Sequence, residues 1–261
     1  MKKLILISID GMRPDGLQQC GNPYVRELEK MAAYTYSASS MIPSVTLPCH
    51  YSMAHSVTPQ RHGITTNTYV PEVRPVKGLF ERIKESGGKS AMFYGWEPIR
   101  DISRPGSLTH SKYMSFRADE SVDTILTDEC DKIIAKYKPD FVFLYLVDTD
   151  DKGGHDVGWM SEEYLRRISI AIDNVKRIID AYGDEYHVII MADHGGHDRT
   201  HGHNVPEDMT IPFFFIGECF KKGEIKEQLS LLDIAPTIAA VMGFAPDEDW
   251  EGKCVDAFVA D

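Results

Sequence analysis

The stretch Val188-Ile189-Ile190-Met191-Ala192-Asp193-His194-Gly195-Gly196-His197-Asp198-Arg199-Thr200-His201-Gly202-His203 sets acids and four imidazoles directly behind a short apolar run. Val188 to Ala192 is rich in β-branched residues, the pattern of a strand buried on both faces. Glycines in Asp193-His194-Gly195-Gly196 then let the backbone turn sharply. In an open α/β sheet, chemistry collects beyond the carboxyl ends of strands, and Asp193, His194, His197, His201 and His203 all fall there. Carboxylate with imidazole is a ligand set for zinc or a similar divalent ion. One histidine in such a place reads as a solvated loop residue. Four within ten residues read as a metal site.

Two other apolar runs end in the same way. Leu4 to Ile9 closes on Asp10-Gly11, where the acid serves equally well as a ligand or a turn residue. Phe141 to Val147 closes on Asp148-Thr149-Asp150-Asp151-Lys152-Gly153-Gly154-His155. A hydroxyl is available in Ile42-Pro43-Ser44-Val45-Thr46-Leu47-Pro48-Cys49-His50-Tyr51, ahead of a helix expected from Cys49 to Ser56. A Ser or Thr at a helix start lies where backbone N–H groups and the dipole favour an anion such as phosphate; its plainer role is an N-cap. Three strand ends thus deliver Asp10, then Asp150 or Asp151 with His155, then Asp193, His194 and His201, with Thr46 beside them. That is too many ligands for one tetrahedral ion. It suits two metals about 4 Å apart, the arrangement that activates a nucleophile and clamps the oxygens of a phosphoryl displacement.

The elements that must position these groups alternate. Helices are expected over residues 22–34, with Asn22 as N-cap and Pro23 at the first position, over Val76–Ser86, over 119–137, behind Ser161 and over Leu232–Met242. Strands are expected at Ser90–Tyr94 and Ile211–Ile216 as well as at the three runs above. Strands alternating with helices predict a mainly parallel sheet covered on both faces. The 261 residues, 43% hydrophobic and 26% charged, suit a single soluble domain spanning 1–261. A net charge of −12 argues against a nucleic-acid duplex or an anionic membrane as partner; a local metal centre still accommodates an anionic substrate. The five cysteines, Cys20, Cys49, Cys130, Cys219 and Cys254, are scattered and odd in number, which points to free thiols and a cytoplasmic location. Met1-Lys2-Lys3 with its apolar run superficially resembles a signal peptide, but the run stops after six residues at Asp10. No stretch approaches the roughly 20 apolar residues of a spanning helix.

Asp10-Gly11, Pro43-Ser44-Val45-Thr46-Leu47-Pro48, His62-Gly63, the acid run before Gly154-His155, Asp193-His194-Gly195 and His201-Gly202 together resemble the alkaline phosphatase superfamily. The nearest branch is the type I phosphodiesterase/nucleotide pyrophosphatase family, and the resemblance runs from residue 4 to about residue 243. It implies an alkaline phosphatase-like three-layer α/β/α sandwich, two zinc ions and a threonine nucleophile. Carried over by motif, one zinc takes Asp10, Thr46, Asp193 and His194; the other takes an acid of the 148–151 run, His155 and His201. Asn67 resembles the family's asparagine on a non-bridging phosphoryl oxygen. The implied reaction cleaves a small-molecule phosphate diester or phosphoanhydride through a covalent phospho-threonine. The second zinc then activates the water that releases it.

The sequence departs from the family in four places. The family's acid sits four residues before the Gly-His histidine, which points to Asp151; the added glycine of Gly153-Gly154 shifts the expectation to Asp150. Cys49 replaces a common asparagine. Only six residues separate His194 from His201, where larger members carry an insertion that shapes the pocket. His197 and His203 match no family ligand and are expected in supporting or solvent-facing roles. The sulfatase nucleophile motif, the third metal site of alkaline phosphatase and the inserted domain of the phosphoglycerate mutases are all missing. Phosphonate C–P hydrolysis and phosphomonoester hydrolysis remain open with the same zinc pair. A non-catalytic metal-binding module has no need of Thr46 and would favour cysteine ligands. Trp96 reads as a core-edge aromatic before it reads as a stacking platform.

Overall fold

In the computed structural model, which describes residues 1–259, the apolar runs lie side by side as strands. These are β1 (Leu4–Ile9), β2 (Ala32–Ser39), β3 (Ser90–Tyr94), β4 (His110–Tyr113), β5 (Phe141–Leu146), β6 (His187–Met191), β7 (Thr210–Ile216) and β8 (Gly223–Glu224). They form one sheet in the order β4-β3-β5-β1-β6-β7-β2-β8, in which β7 alone runs against the rest. Every residue of β1 and β5 is buried, as expected for strands covered on both faces. The helices are α1 (Pro14–Gln19), α2 (Tyr24–Met31), α3 (Thr46–His55), α4 (Pro59–His62), α5 (Leu79–Glu85), α6 (Val122–Tyr137), α7 (Glu162–Tyr182), α8 (Pro206–Met209) and α9 (Ile234–Met242). One layer packs α1, α2 and α6 around α7, the other packs α3, α5 and α9 together, and α7 and α9 both reach β1. The expected three-layer sandwich with a mainly parallel sheet is what forms.

Register decides which residues meet. Leu4 pairs with Phe141 on one side of β1 and with His187 on the other, and the pairing runs without a slip to Ile9–Leu146 and Ser8–Met191. Continued two steps past Ser8–Met191, it brings Asp10 level with Asp193. The three acid-bearing strand ends therefore emerge together at one edge.

Two expectations need correction. The helix expected over 22–34 stops at Met31, and Ala32–Ser39 is a strand. Asn22 does cap the helix, its Oδ1 accepting the Tyr24 N–H at 3.0 Å. The continuation fails because Tyr34 and Tyr36 have aromatic partners in the sheet: Tyr34 stacks on Phe214 of β7 at 5.7 Å, and Tyr36 meets the same ring edge-on. Tertiary pairing overrides a weak local preference. The correction matters because β2 runs parallel to β1, so its carboxyl end delivers residues 40–46 to the acid-bearing edge. The second correction is the start of α3, at Thr46 rather than Cys49. Pro48 is no obstacle, since the first turn of a helix needs no N–H from it. Residues Thr149–His155 form a wide π-helical turn, a feature frequent at functional sites.

Candidate active site

Asp10, Asp193 and His194 leave adjacent strand ends and are fully buried. Their donor atoms lie within 4.8 Å of one another. His194 Nε2 stands 3.3 Å from Asp10 Oδ1, 3.3 Å from Asp193 Oδ2 and 3.2 Å from Thr46 Oγ1. Asp150, His155 and His201 form a second group of the same compactness, with His155 Nε2 at 3.4 Å from Asp150 Oδ2 and His201 Nε2 at 3.9 Å from Asp150 Oδ1. The rings of His194 and His201 stack at 3.9 Å, so the two groups share a wall.

The three imidazoles are oriented alike. Nδ1 faces a backbone carbonyl in each: Gly195 at 2.8 Å for His194, Arg199 at 3.1 Å for His155 and Ser44 at 2.8 Å for His201. A carbonyl only accepts, so Nδ1 carries the proton and the Nε2 lone pair faces the carboxylates. Lone pairs aimed at carboxylates repel unless a cation stands between them, and a carbonyl behind Nδ1 is how proteins prepare a metal-binding histidine. The carboxylates tell the same story. Asp10 Oδ1, Asp150 Oδ1 and Asp193 Oδ2 are buried with no hydrogen-bond partner among the described residues, a costly condition for a polar atom. Burial, then the charges of Asp193 and Asp150, hold the Asp10 carboxyl well above the usual range. Burial pushes Asp150 up to about 7 and Asp193 up to about 6. Burial, then His201, holds His194 well down. Oxygen and imidazole donors in this setting fit two divalent cations, with Asp10, Asp193, His194 and Thr46 facing one and Asp150, His155 and His201 facing the other.

The remaining sequence-derived residues fall into place around this centre. Asp150 rather than Asp151 faces the histidines; Asp151 points into a separate cavity of about 690 Å³ shared with Arg117 and Lys152. Exposed Asn67 accepts the Leu47 N–H through Oδ1 at 3.0 Å, which ties it to the residue after Thr46. Among the described residues no acceptor is found for the Thr46 N–H in the first turn of α3, where Pro48 has no N–H of its own. His197 and His203 lie apart from the pair, around buried Asp208. Asp208 is already satisfied there, Oδ1 by the His197 Nδ1–H at 2.7 Å and Oδ2 by the His203 backbone N–H at 2.8 Å. Trp96 is half-buried against the core.

The sequence model of the type I phosphodiesterase/nucleotide pyrophosphatase family matches residues 4–211. The chain belongs to that family. It is 25% identical over 218 residues to ectonucleotide pyrophosphatase/phosphodiesterase family member 1 of Mus musculus, covering 73% of this chain and 24% of that protein. It is 25% identical over 219 residues to a Mus musculus bis(5'-adenosyl)-triphosphatase, covering 74% of this chain and 47% of the other. The chain thus spans a quarter to a half of the length of the curated relatives it matches. Among solved structures, murine ectonucleotide pyrophosphatase/phosphodiesterase 5, as an inactive threonine-to-alanine variant with AMP, aligns with a TM-score of 0.80 at 14% identity over 94% of this chain and 96% of that one. A Silicibacter pomeroyi phosphonate monoester hydrolase aligns with a TM-score of 0.73 at 13% identity over 97% and 76%. At these identities the structures speak for the fold.

Sequence reasoning missed the residues that hold this phosphodiesterase-family site from beneath. Tyr145 on β5 donates its hydroxyl hydrogen bond to Asp10 Oδ2. His50, one turn after Thr46, has Nδ1 at 2.9 Å from the Thr46 carbonyl and 3.3 Å from Asp193 Oδ2, and Nε2 at 2.9 Å from the Ser8 hydroxyl. Both left a signal. A tyrosine in a strand buried on both faces must find a partner for its hydroxyl, and positions four apart share one face of a helix.

Proposed function

We propose that the chain is a two-zinc hydrolase of small-molecule phosphate diesters or phosphoanhydrides that works through a phospho-threonine. The observation that carries the reading is the convergence of three partnerless buried carboxylate oxygens and three Nε2 lone pairs beside Thr46 Oγ1. When bound, the zinc ions supply positive charge that lowers the pKa of a hydroxyl or water and neutralises phosphoryl oxygens. Thr46 Oγ1 attacks phosphorus, a Thr46 O–P bond forms, and the ester or anhydride oxygen departs. Water then adds to phosphorus and releases Thr46. In this reading the Thr46 N–H and the Asn67 NH₂ donate to non-bridging oxygens as charge builds on them. Family membership favours a nucleotide-like substrate, and the partly exposed His155 leaves the second group open to water. Among the described residues the five cysteines form no disulfide, which supports a reducing compartment. No helix among the described residues is long and apolar enough to cross a membrane.

The test is Thr46→Ala, assayed on a nitrophenyl diester, the monoester and a phosphonate, together with elemental analysis of the wild type. Turnover on the best substrate is expected to fall by at least ~10³-fold, the scale of deleting a covalent nucleophile, with the fold retained. Near-wild-type turnover would sink the covalent mechanism, and a metal-free, chelator-insensitive wild type would sink the zinc pair. The phosphonate and monoester arms decide between the diester reading and its superfamily alternatives.

A further inference from the structure

Four segments carry the metal-facing residues, and one side chain touches three of them. Trp159, buried ahead of α7, donates its indole N–H to the Gly11 carbonyl beside Asp10 at 3.0 Å. Its ring covers Gly154, next to His155, so closely that a Cβ there would stand 2.6 Å from the indole. It covers Gly196 closer still, at 2.2 Å from an added Cβ. Its edge meets the His155 ring at 5.2 Å and 85°, and the His201 ring at 6.0 Å and 65°. The backbone N–H of Trp159 donates to Asp198 at 2.8 Å, in the loop between His194 and His201. On either side, Gly158 and Met160 hold positive φ of 128° and 66°; for Met160 that conformation costs energy and persists only where the surroundings fix it. Gly154 gives the indole its seat, whereas Gly153 packs against Tyr164.

We propose that Trp159 is a positioning residue for the second metal position: it wedges the 149–155 turn against the loop after β6 and so fixes the rings of His155 and His201. Asp10, Asp193 and His194 need no such wedge, because strand register places them. His155 and His201 stand on a turn and a loop, where side chains are held less precisely. Ordering them in advance removes an entropic cost that the metal would otherwise meet. The inference rests on the two-metal reading, and its test separates the two.

The probe is Co²⁺, titrated into chelator-stripped protein and followed by visible absorption and calorimetry, for wild type, Trp159→Leu and Trp159→Phe. Two ions bound by the wild type uphold the two-metal reading. In Trp159→Leu one Co²⁺ is expected to bind within about threefold of the wild-type affinity and the other at least ~10-fold more weakly, the scale for losing the group that orients a ligand. Trp159→Phe, which keeps a ring but lacks the indole N–H, falls between, and decides on the same criterion if the leucine variant does not fold. Two wild-type affinities in the variants, or equal weakening of both, overturns the proposal. A wild type that takes up a single Co²⁺ overturns the two-metal reading instead. The wedge is then read without metal, from the ring ¹⁵N shifts of His155 and His201. Both rings are expected to hold the Nδ1–H tautomer in the wild type and to lose it in Trp159→Leu, and unchanged tautomers there refute the role.

Discussion

The two ligand groups use similar chemistry but are built differently. Asp10, Asp193 and His194 stand at the ends of β1 and β6 and are sealed from water. Parallel pairing sets their spacing, and a buried layer of Tyr145, His50 and Ser8 supports them. Asp150, His155 and His201 come from a π-helical turn and an irregular loop, and the His155 side chain is 40% exposed. Their two segments hold each other by hydrogen bonds, His155 Nδ1–H to the Arg199 carbonyl and Arg199 Nε–H to the His155 carbonyl. Burial makes the first group electrostatically expensive when metal-free, whereas assembly from loops makes the second dependent on its scaffolding. Removing a charge and removing a buttress should therefore act differently on the two.

The largest contrast is expected from Asp193→Asn. On the proposed reading, loss of a carboxylate of the first metal position should lower turnover by roughly 10³-fold, comparable with deleting the nucleophile itself. Stability should move the other way. Folded Asp193 titrates near about 6 against about 3.9 for an unfolded aspartate, so the folded chain holds the extra proton. The stability from that proton is complete below about pH 4 and is lost as pH rises through about 6. With chelator present, the variant should melt above the wild type at pH 8, with the gap closing toward pH 5. Measuring the difference cancels His55 and His62, which burial holds down at about 3 and about 4 and which act in the opposite direction in both proteins. A gap that widens toward acid pH would break the electrostatic half of the comparison.

Tyr145→Phe tests the support of the first group. Asp10 Oδ2 loses its donor while the strand keeps its packing, and on the proposed reading metal affinity or turnover should fall about 10–100-fold, as when an outer partner of a ligand is removed. Because Tyr145 lies beneath Asp10, the first metal position should weaken before the second. A uniform loss at both positions would show that the groups are not independently built.

The first group was legible in the sequence because it depends on local grammar: an apolar run, an acid, a glycine. Asp10, Asp193 and His194 needed nothing but strands in register. Thr46 was legible as a hydroxyl between prolines, but its route to the site was not, because β2 continues from α2 without a breaker and owes its strand form to Phe214 across the sheet. The second group was only half legible. His155 and His201 stood out, whereas the winding of the 149–155 turn, which faces Asp150 rather than Asp151 toward them, follows no spacing rule. Tyr145 and His50 left a signal that they needed partners but not which ones, since Asp10 and Asp193 lie 135 and 143 residues away.

Asp151→Asn is the smallest expected effect and the sharpest probe of that turn. Asp151 is half-buried, and its carboxyl is raised first by burial and then by Asp156. It lines the cavity with Arg117 and Lys152, away from the histidines. The amide keeps the shape and relieves repulsion with Asp156, so turnover should change by less than about threefold, within the range of a substitution away from special features. Asp150→Asn, one residue earlier, removes the negative charge that the Nε2 atoms of both His155 and His201 face and on the proposed reading should weaken the second metal position and turnover by ~10²-fold or more. The two variants differ by one position in the chain and share the same chemistry, so composition and net charge cancel between them. If Asp151→Asn proves the more damaging, the turn is wound one residue differently in the working enzyme, and the acid four residues before His155 is the ligand after all.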